Sequence, residues 1–124
     1  VDLRVDIRWL LERHAEILPK HPDVADYSGL MAAVARHRVE PPRIDYDPVD
    51  NAWRAAALMH TLILLRPLPS RNTLYGSLIA VRYMAAAGEP INPTPDEFFA
   101  LTDAVRARRA DVYAVAELIR AWRE

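Results

Sequence analysis

The run Arg66-Pro67-Leu68-Pro69-Ser70-Arg71-Asn72 gathers the residue types in this chain best able to do chemistry. Two guanidiniums bracket two prolines, and a hydroxyl and a carboxamide stand on either side of the second. A guanidinium is permanently charged and presents forked donors that match phosphate or carboxylate oxygens. A helix starting at Thr73 would add free backbone N–H groups and the positive end of its dipole. The chemistry on offer is capture of an anion, with Arg66, Ser70, Arg71, Asn72 and Thr73 as the candidate phosphate-binding residues.

Two apolar segments must hold that turn in place. Residues 55–65 read AAALMHTLILL, apolar on nearly every side, which predicts a helix buried in a protein core. The segment is too short to cross a membrane, which needs about 18 such residues. Pro67 and Pro69 stop the helix, because each lacks a backbone N–H and disfavours helix in the residue before it. Beyond the turn, Leu74, Leu78, Ile79, Val81 and Tyr83 or Met84 restore a helical period that runs to Gly88, a residue suited to a helix end.

With 124 residues the chain is expected to form one domain over 1–124. A 52% hydrophobic share against 27% charged, with three glycines, excludes a disordered chain and favours helix. A formal net charge of −1 supplies no whole-molecule field for nucleic acid or acidic membrane, so neither is expected as a partner. The absence of cysteine rules out disulfides and thiolate chemistry, and the charge-studded start VDLRVDIRWLLERH resembles neither a signal peptide nor a membrane span. A cytoplasmic protein is expected, and the arginine- and alanine-rich composition, with Lys20 the only lysine, suggests a GC-rich bacterial source.

Elsewhere the spacing predicts helices over about 3–18 (Ile7, Leu10, Leu11, Ile17 and Leu18 inward) and about 29–38 (Leu30, Met31 and Val34 inward), the second capped from residues 26–28. Residues 39–47 form a loop, with Asp47 capping a long helix that opens at Pro48 and carries Asp50 in its first turn. Thr94-Pro95-Asp96-Glu97 matches a capping box, with Phe98, Leu101, Thr102 and Val105 inward, and Asp111 caps a last helix. Arg106, Arg108 and Arg109 read as a solvated basic run between the two. The four histidines show no metal-ligand spacing, so no metal site is predicted and they are read as surface or satisfied core residues. The expected fold is all-α, a compact bundle of about six helices around a central buried one.

The order of parts resembles the Fic/Doc family, Doc-type toxins of toxin–antitoxin pairs most closely. The likeness rests on WLLERHAEIL, DYSGLMAAVARHR, AALMHTLILLRPLPSRNTLYGSLIAVRYMAAAGEPIN and TPDEFFALTDAV…ADVYAVAELIRAW, and so covers nearly the whole chain. The family motif H-P-F-x-D/E-A/G-N-K/G-R-T falls on residues 66–75. Pro67 and Asn72 match it, whereas the histidine base position holds Arg66, the acidic metal-holding position Ser70, the small loop position Arg71 and the phosphate-gripping arginine position Leu74. A guanidinium accepts no proton at ordinary pH, and a serine brings no charge to Mg²⁺.

The resemblance therefore implies a Doc-like toxin component with a degenerate loop and altered or absent transfer of phosphate or AMP to a protein hydroxyl. The alternative is a catalytically inert binding module of the same fold, pairing with an antitoxin-like helix or a target protein. ATP is the implied nucleotide, Mg²⁺ is disfavoured, and the catalytic residues stay unassigned. A working enzyme would have to borrow Asp45, Asp47 or His60 as base. Residues 39–47 occupy the place of the family's flap, making Ile44 and Tyr46 candidates for pairing with an added strand.

Overall fold

The computed structural model describes residues 2–40 and 49–124. Its helices are α1 (Ile7–Ile17), α2 (Tyr27–Arg38), α3 (Asn51–Leu65), α4 (Asn72–Ala86), α5 (Pro95–Arg106) and α6 (Val112–Ala121). Among the described residues, extended pairing is limited to an isolated antiparallel bridge between Ile91 and Arg123. The all-α bundle is therefore as expected, and no described helix is long and apolar enough to cross a membrane.

α3 is the central element, packing chiefly against α2, α4 and α6. Its apolar character all round is explained by neighbours on several sides: every residue from Asn51 to Met59 is buried, as are Thr61, Leu62 and Ile63. Gly76 lets α4 approach closely, since a Cβ there would lie 2.9 Å from Ile63 Cγ1 and 3.3 Å from the Met59 carbonyl. All six helices contribute to one apolar core that includes Leu10, Leu30, Leu58, Ile79, Val105 and Ile119.

Several boundaries differ from the sequence expectation. α1 starts at Ile7 with Asp6 as its cap, and residues 2–5 lie outside any helix. Their backbone is held by distant side chains instead: Leu3 N–H donates to Asn51 Oδ1 (2.9 Å), Tyr83 donates to the Leu3 carbonyl, and Arg38 donates to the Val5 carbonyl (2.7 Å). The buried Arg54 completes this strap, donating to Asp2 at 2.7 Å and to the His37 carbonyl at 2.6 Å. α3 starts at Asn51 with Asp50 as its cap, Asp50 Oδ1 accepting from Trp53 N–H at 2.9 Å while Arg120 donates to both carboxylate oxygens. The described helix thus opens at Asn51 rather than at Pro48, and Pro48, like Asp47, lies outside the described residues.

Met31 is 61% exposed, because the inner stripe of α2 is Gly29, Leu30, Ala33 and His37. In α4 the inner positions are Tyr75, Ile79, Ala80, Tyr83 and Met84, leaving Leu74 outside. In α6, Ile119 is buried and Leu118 is exposed. The two fully buried tyrosines are tolerated because their hydroxyls have partners, Tyr75 donating to the Leu10 carbonyl at 2.8 Å.

Candidate anion-binding site

The chain turns between α3 and α4 through two left-handed arginines. Arg66 (φ 50°, ψ 62°) ends α3, and Arg71 (φ 63°, ψ 29°) occupies the cap position of α4. The segment between them is anchored inward. The Pro67 carbonyl accepts from the N–H groups of Ala25 (2.8 Å) and Asp26 (2.9 Å), and Leu68 is buried in the core. Asn72 fixes the peptide groups of Leu68 from both sides, its Oδ1 accepting from Leu68 N–H (2.9 Å) and its Nδ2 donating to the Leu68 carbonyl (3.0 Å). Anchoring the middle of the turn leaves both flanking arginines exposed.

A third left-handed arginine, Arg108 (φ 61°), lies in the turn between α5 and α6. Among the described residues these three are the only non-glycine positions with positive φ, and all three line one cavity of about 520 Å³. Such backbone is costly for a residue with a Cβ and tends to cluster where ligands are held. Ile63 and Leu64 from the end of α3, the loop residues Pro69 to Arg71, Asn72 and Thr73 from the start of α4, Asp103 and Arg106 from the end of α5, and Ala107 just past it complete the lining.

The charge of this lining is one-sided. Among the described residues Arg66, Arg71, Arg106 and Arg108 make no ion pair, while Asp103, the one carboxylate on the wall, is held by Arg109 at 3.2 Å. The start of α4 points the same way. Asp6, Asp26, Asp50, Thr94 and Asp111 each cap their helix through a side-chain oxygen, whereas Arg71 has none to offer. The N–H groups of Asn72, Thr73 and Leu74 consequently have no acceptor among the described residues.

All five phosphate-binding candidates therefore line the same cavity. The Asn72 amide is spent on Leu68, so this residue offers its backbone N–H. Arg106 and Arg108, read from the sequence as solvated, form part of the opposite wall. The only signal for them was the local excess of arginine, since nothing in a linear reading brings the end of α5 beside the end of α3. Ile44 and Tyr46, like Asp45 and Asp47, lie outside the described residues.

His60 stands on α3 beside a neighbouring opening, half-buried. Its Nδ1 lies 2.9 Å from the Arg36 guanidinium. A guanidinium can only donate, so Nδ1 accepts and the ring proton sits on Nε2. Burial, then the Arg36 charge, holds the imidazole below its usual range. The ring's lone pair is occupied, and His60 in this arrangement is not a base.

These donors do not fit Mg²⁺, which takes oxygen ligands and favours carboxylates. Ser70 offers a neutral hydroxyl, Asp103 is already paired, and four guanidiniums surround the space. They do fit a multiply charged oxyanion. No protein-family model matches the chain, and no curated protein is significantly similar to it.

Proposed function

We propose that the chain is a Fic/Doc-type scaffold that has kept anion recognition while its transfer chemistry is altered or absent, serving as the toxin-like half of a bacterial pair through binding. One observation carries the anion-binding part: four arginines without acidic partners among the described residues line the cavity at the one described helix start that lacks a side-chain cap. The toxin-like role rests on the order of segments in the sequence, and a fold alone does not fix function. The altered or absent turnover is supported by the acceptors near the cavity among the described residues. Arg66 cannot take a proton, Asp103 is bound to Arg109, and His60 is engaged by Arg36. Tyr27 and Met31, one turn apart on α2 and 56% and 61% exposed, support a protein partner such as an antitoxin-like helix.

Calorimetric titration with inorganic phosphate tests this reading. Wild-type protein should bind it, and a Arg66→Ala, Arg71→Ala double variant should bind at least about tenfold more weakly. Equal affinity in the two proteins would remove the cavity from the function. Incubation with labelled ATP and bacterial extract should transfer no label to protein, and label transfer would overturn the loss of turnover.

A further inference from the structure

The arginine-lined cavity carries one carboxylate among the described residues, Asp103 on α5, a helix that packs beside both α3 and α4. Its Oδ2 accepts from Arg109 at 3.2 Å, and its Oδ1 has no hydrogen-bond partner among the described residues. Asp103 shares the lining with Arg66, Arg71, Arg106 and Arg108, whereas Arg109 is not part of it and borders the neighbouring opening instead. Arg109 therefore offsets the carboxylate charge from outside the cavity, and Asp103 keeps an acceptor oxygen for what the cavity holds. The four guanidiniums and the N–H groups at the start of α4 only donate, so they serve any oxyanion alike. An ionised carboxylate only accepts. An oxyanion without a proton meets Asp103 as a second negative charge, whereas one that keeps a proton donates to it in a strong, charge-assisted bond.

We infer that Asp103 sets the specificity of this cavity, selecting inorganic phosphate, which retains a proton at neutral pH, over sulfate and over phosphate monoesters, whose dianions have none. This rests on the anion-binding reading above and adds which oxyanion is held. The phosphate sits between the start of α4 and Asp103, its charged oxygens on the arginines and its hydroxyl on the carboxylate. Asp103 accepts a hydrogen bond there and removes no proton, so the assignment involves no transfer step. The arginines supply affinity, and Asp103 supplies discrimination by repelling the anions that cannot donate.

Titrations with orthophosphate, sulfate and methyl phosphate at about pH 8 and fixed ionic strength compare three dianions of equal charge. Only orthophosphate bears a proton there, since a monoester loses its second one at about pH 6. Wild-type protein should bind orthophosphate about tenfold more tightly than either of the others. Asp103→Asn keeps the shape and adds an N–H donor, so it should bind all three within about twofold of one another, chiefly by gaining the two unprotonated anions. Asp96→Asn, which removes an exposed carboxylate of the same helix that does not line the cavity, should keep the wild-type preference. Wild-type protein that binds the three alike, or an Asp103→Asn protein that keeps the preference, would overturn this inference and leave the anion-binding reading standing. A rise of all three affinities by one common factor in Asp103→Asn would do the same, because it marks a long-range charge effect and no contact. Failure of wild-type protein to bind any of the three would overturn the anion-binding reading itself.

Discussion

Asn72 grips Leu68 by both faces of its backbone, accepting from its N–H at 2.9 Å and donating to its carbonyl at 3.0 Å. The contact is almost entirely buried and joins the first residue of α4 to the middle of the turn. Arg66 and Arg71 are held at either end of this clasp. Asn72→Ala leaves a buried N–H and a buried carbonyl without partners, which should lower the unfolding free energy by about 2–4 kcal/mol. Chemical denaturation measures the loss, and phosphate affinity should fall with it. A change below about 0.5 kcal/mol would show that the clasp does not hold the turn.

Gly29 links α2 to the same turn. A Cβ added there would sit 3.0 Å from Pro67 Cβ, and Pro67 is itself tied to Ala25 and Asp26 through its carbonyl. In an open helix, alanine would stabilise by about 1 kcal/mol over glycine. Here the rigid proline must shift, and overpacking of this kind costs about 1–3 kcal/mol. Gly29→Ala should therefore be neutral to destabilising, and it should weaken phosphate binding by displacing the turn that carries Arg66. A stabilised Gly29→Ala protein with full affinity would mean that α2 does not brace the site.

Arg71 separates stability from binding. Its left-handed backbone, φ 63°, suits glycine better than a residue with a side chain, and the Arg71 side chain makes no capping bond to α4. Arg71→Gly should hold or raise the unfolding free energy by up to about 1 kcal/mol and weaken phosphate binding about tenfold. Loss of stability in this variant would assign Arg71 a structural task instead. A gain in stability with a loss of affinity is the pattern expected where backbone strain is kept for a ligand.

The sequence disclosed some of this architecture and concealed the rest for identifiable reasons. The capping box was legible because it is local: Thr94 Oγ1 accepts from Glu97 N–H at 3.1 Å, and Glu97 accepts from Thr94 N–H at 2.9 Å. Asp26 and Asp111 were legible as caps in the same way. Residues 3–5 were expected inside the first helix, yet Asn51, Tyr83 and Arg38 claim their backbone from far along the chain. Asp50 was passed over as a cap because Pro48 looked like a helix opening, whereas the pairing with Arg120 on α6 depends on the fold. Around the cavity, Arg66, Ser70, Arg71, Asn72 and Thr73 are singled out by type and spacing, while Arg106 and Arg108 join them only through the packing of α5 beside α3.

His37, buried, and His60, half-buried, should govern how stability depends on pH around neutrality. His37 Nε2 accepts from Val5 N–H at 3.0 Å and its Nδ1–H donates to the Val34 carbonyl, so the ring is neutral with one tautomer fixed. Burial, joined by the charges of Arg38 and Arg54, outweighs the neighbouring carbonyls and holds its pKa below the usual 6.5. His60 is lowered in the same direction by burial and Arg36. A histidine whose folded pKa lies below its unfolded one binds more protons when unfolded, so stability rises with pH between the two values. Its contribution is complete above about 6.5 and fades as the pH falls towards the folded pKa. The depressed carboxylates act lower: Asp50, where the Arg120 and Trp53 hydrogen bonds overcome burial, loses its contribution only as pH falls below the ordinary 3.8. Urea midpoints should therefore fall steadily from about pH 7 to about pH 5, each histidine contributing at most about 1.4 kcal/mol per pH unit. His37→Gln, which carries no titrating group, should flatten that slope. A midpoint unchanged across this range, or an undiminished slope in His37→Gln, would show that protonating His37 does not release Val5.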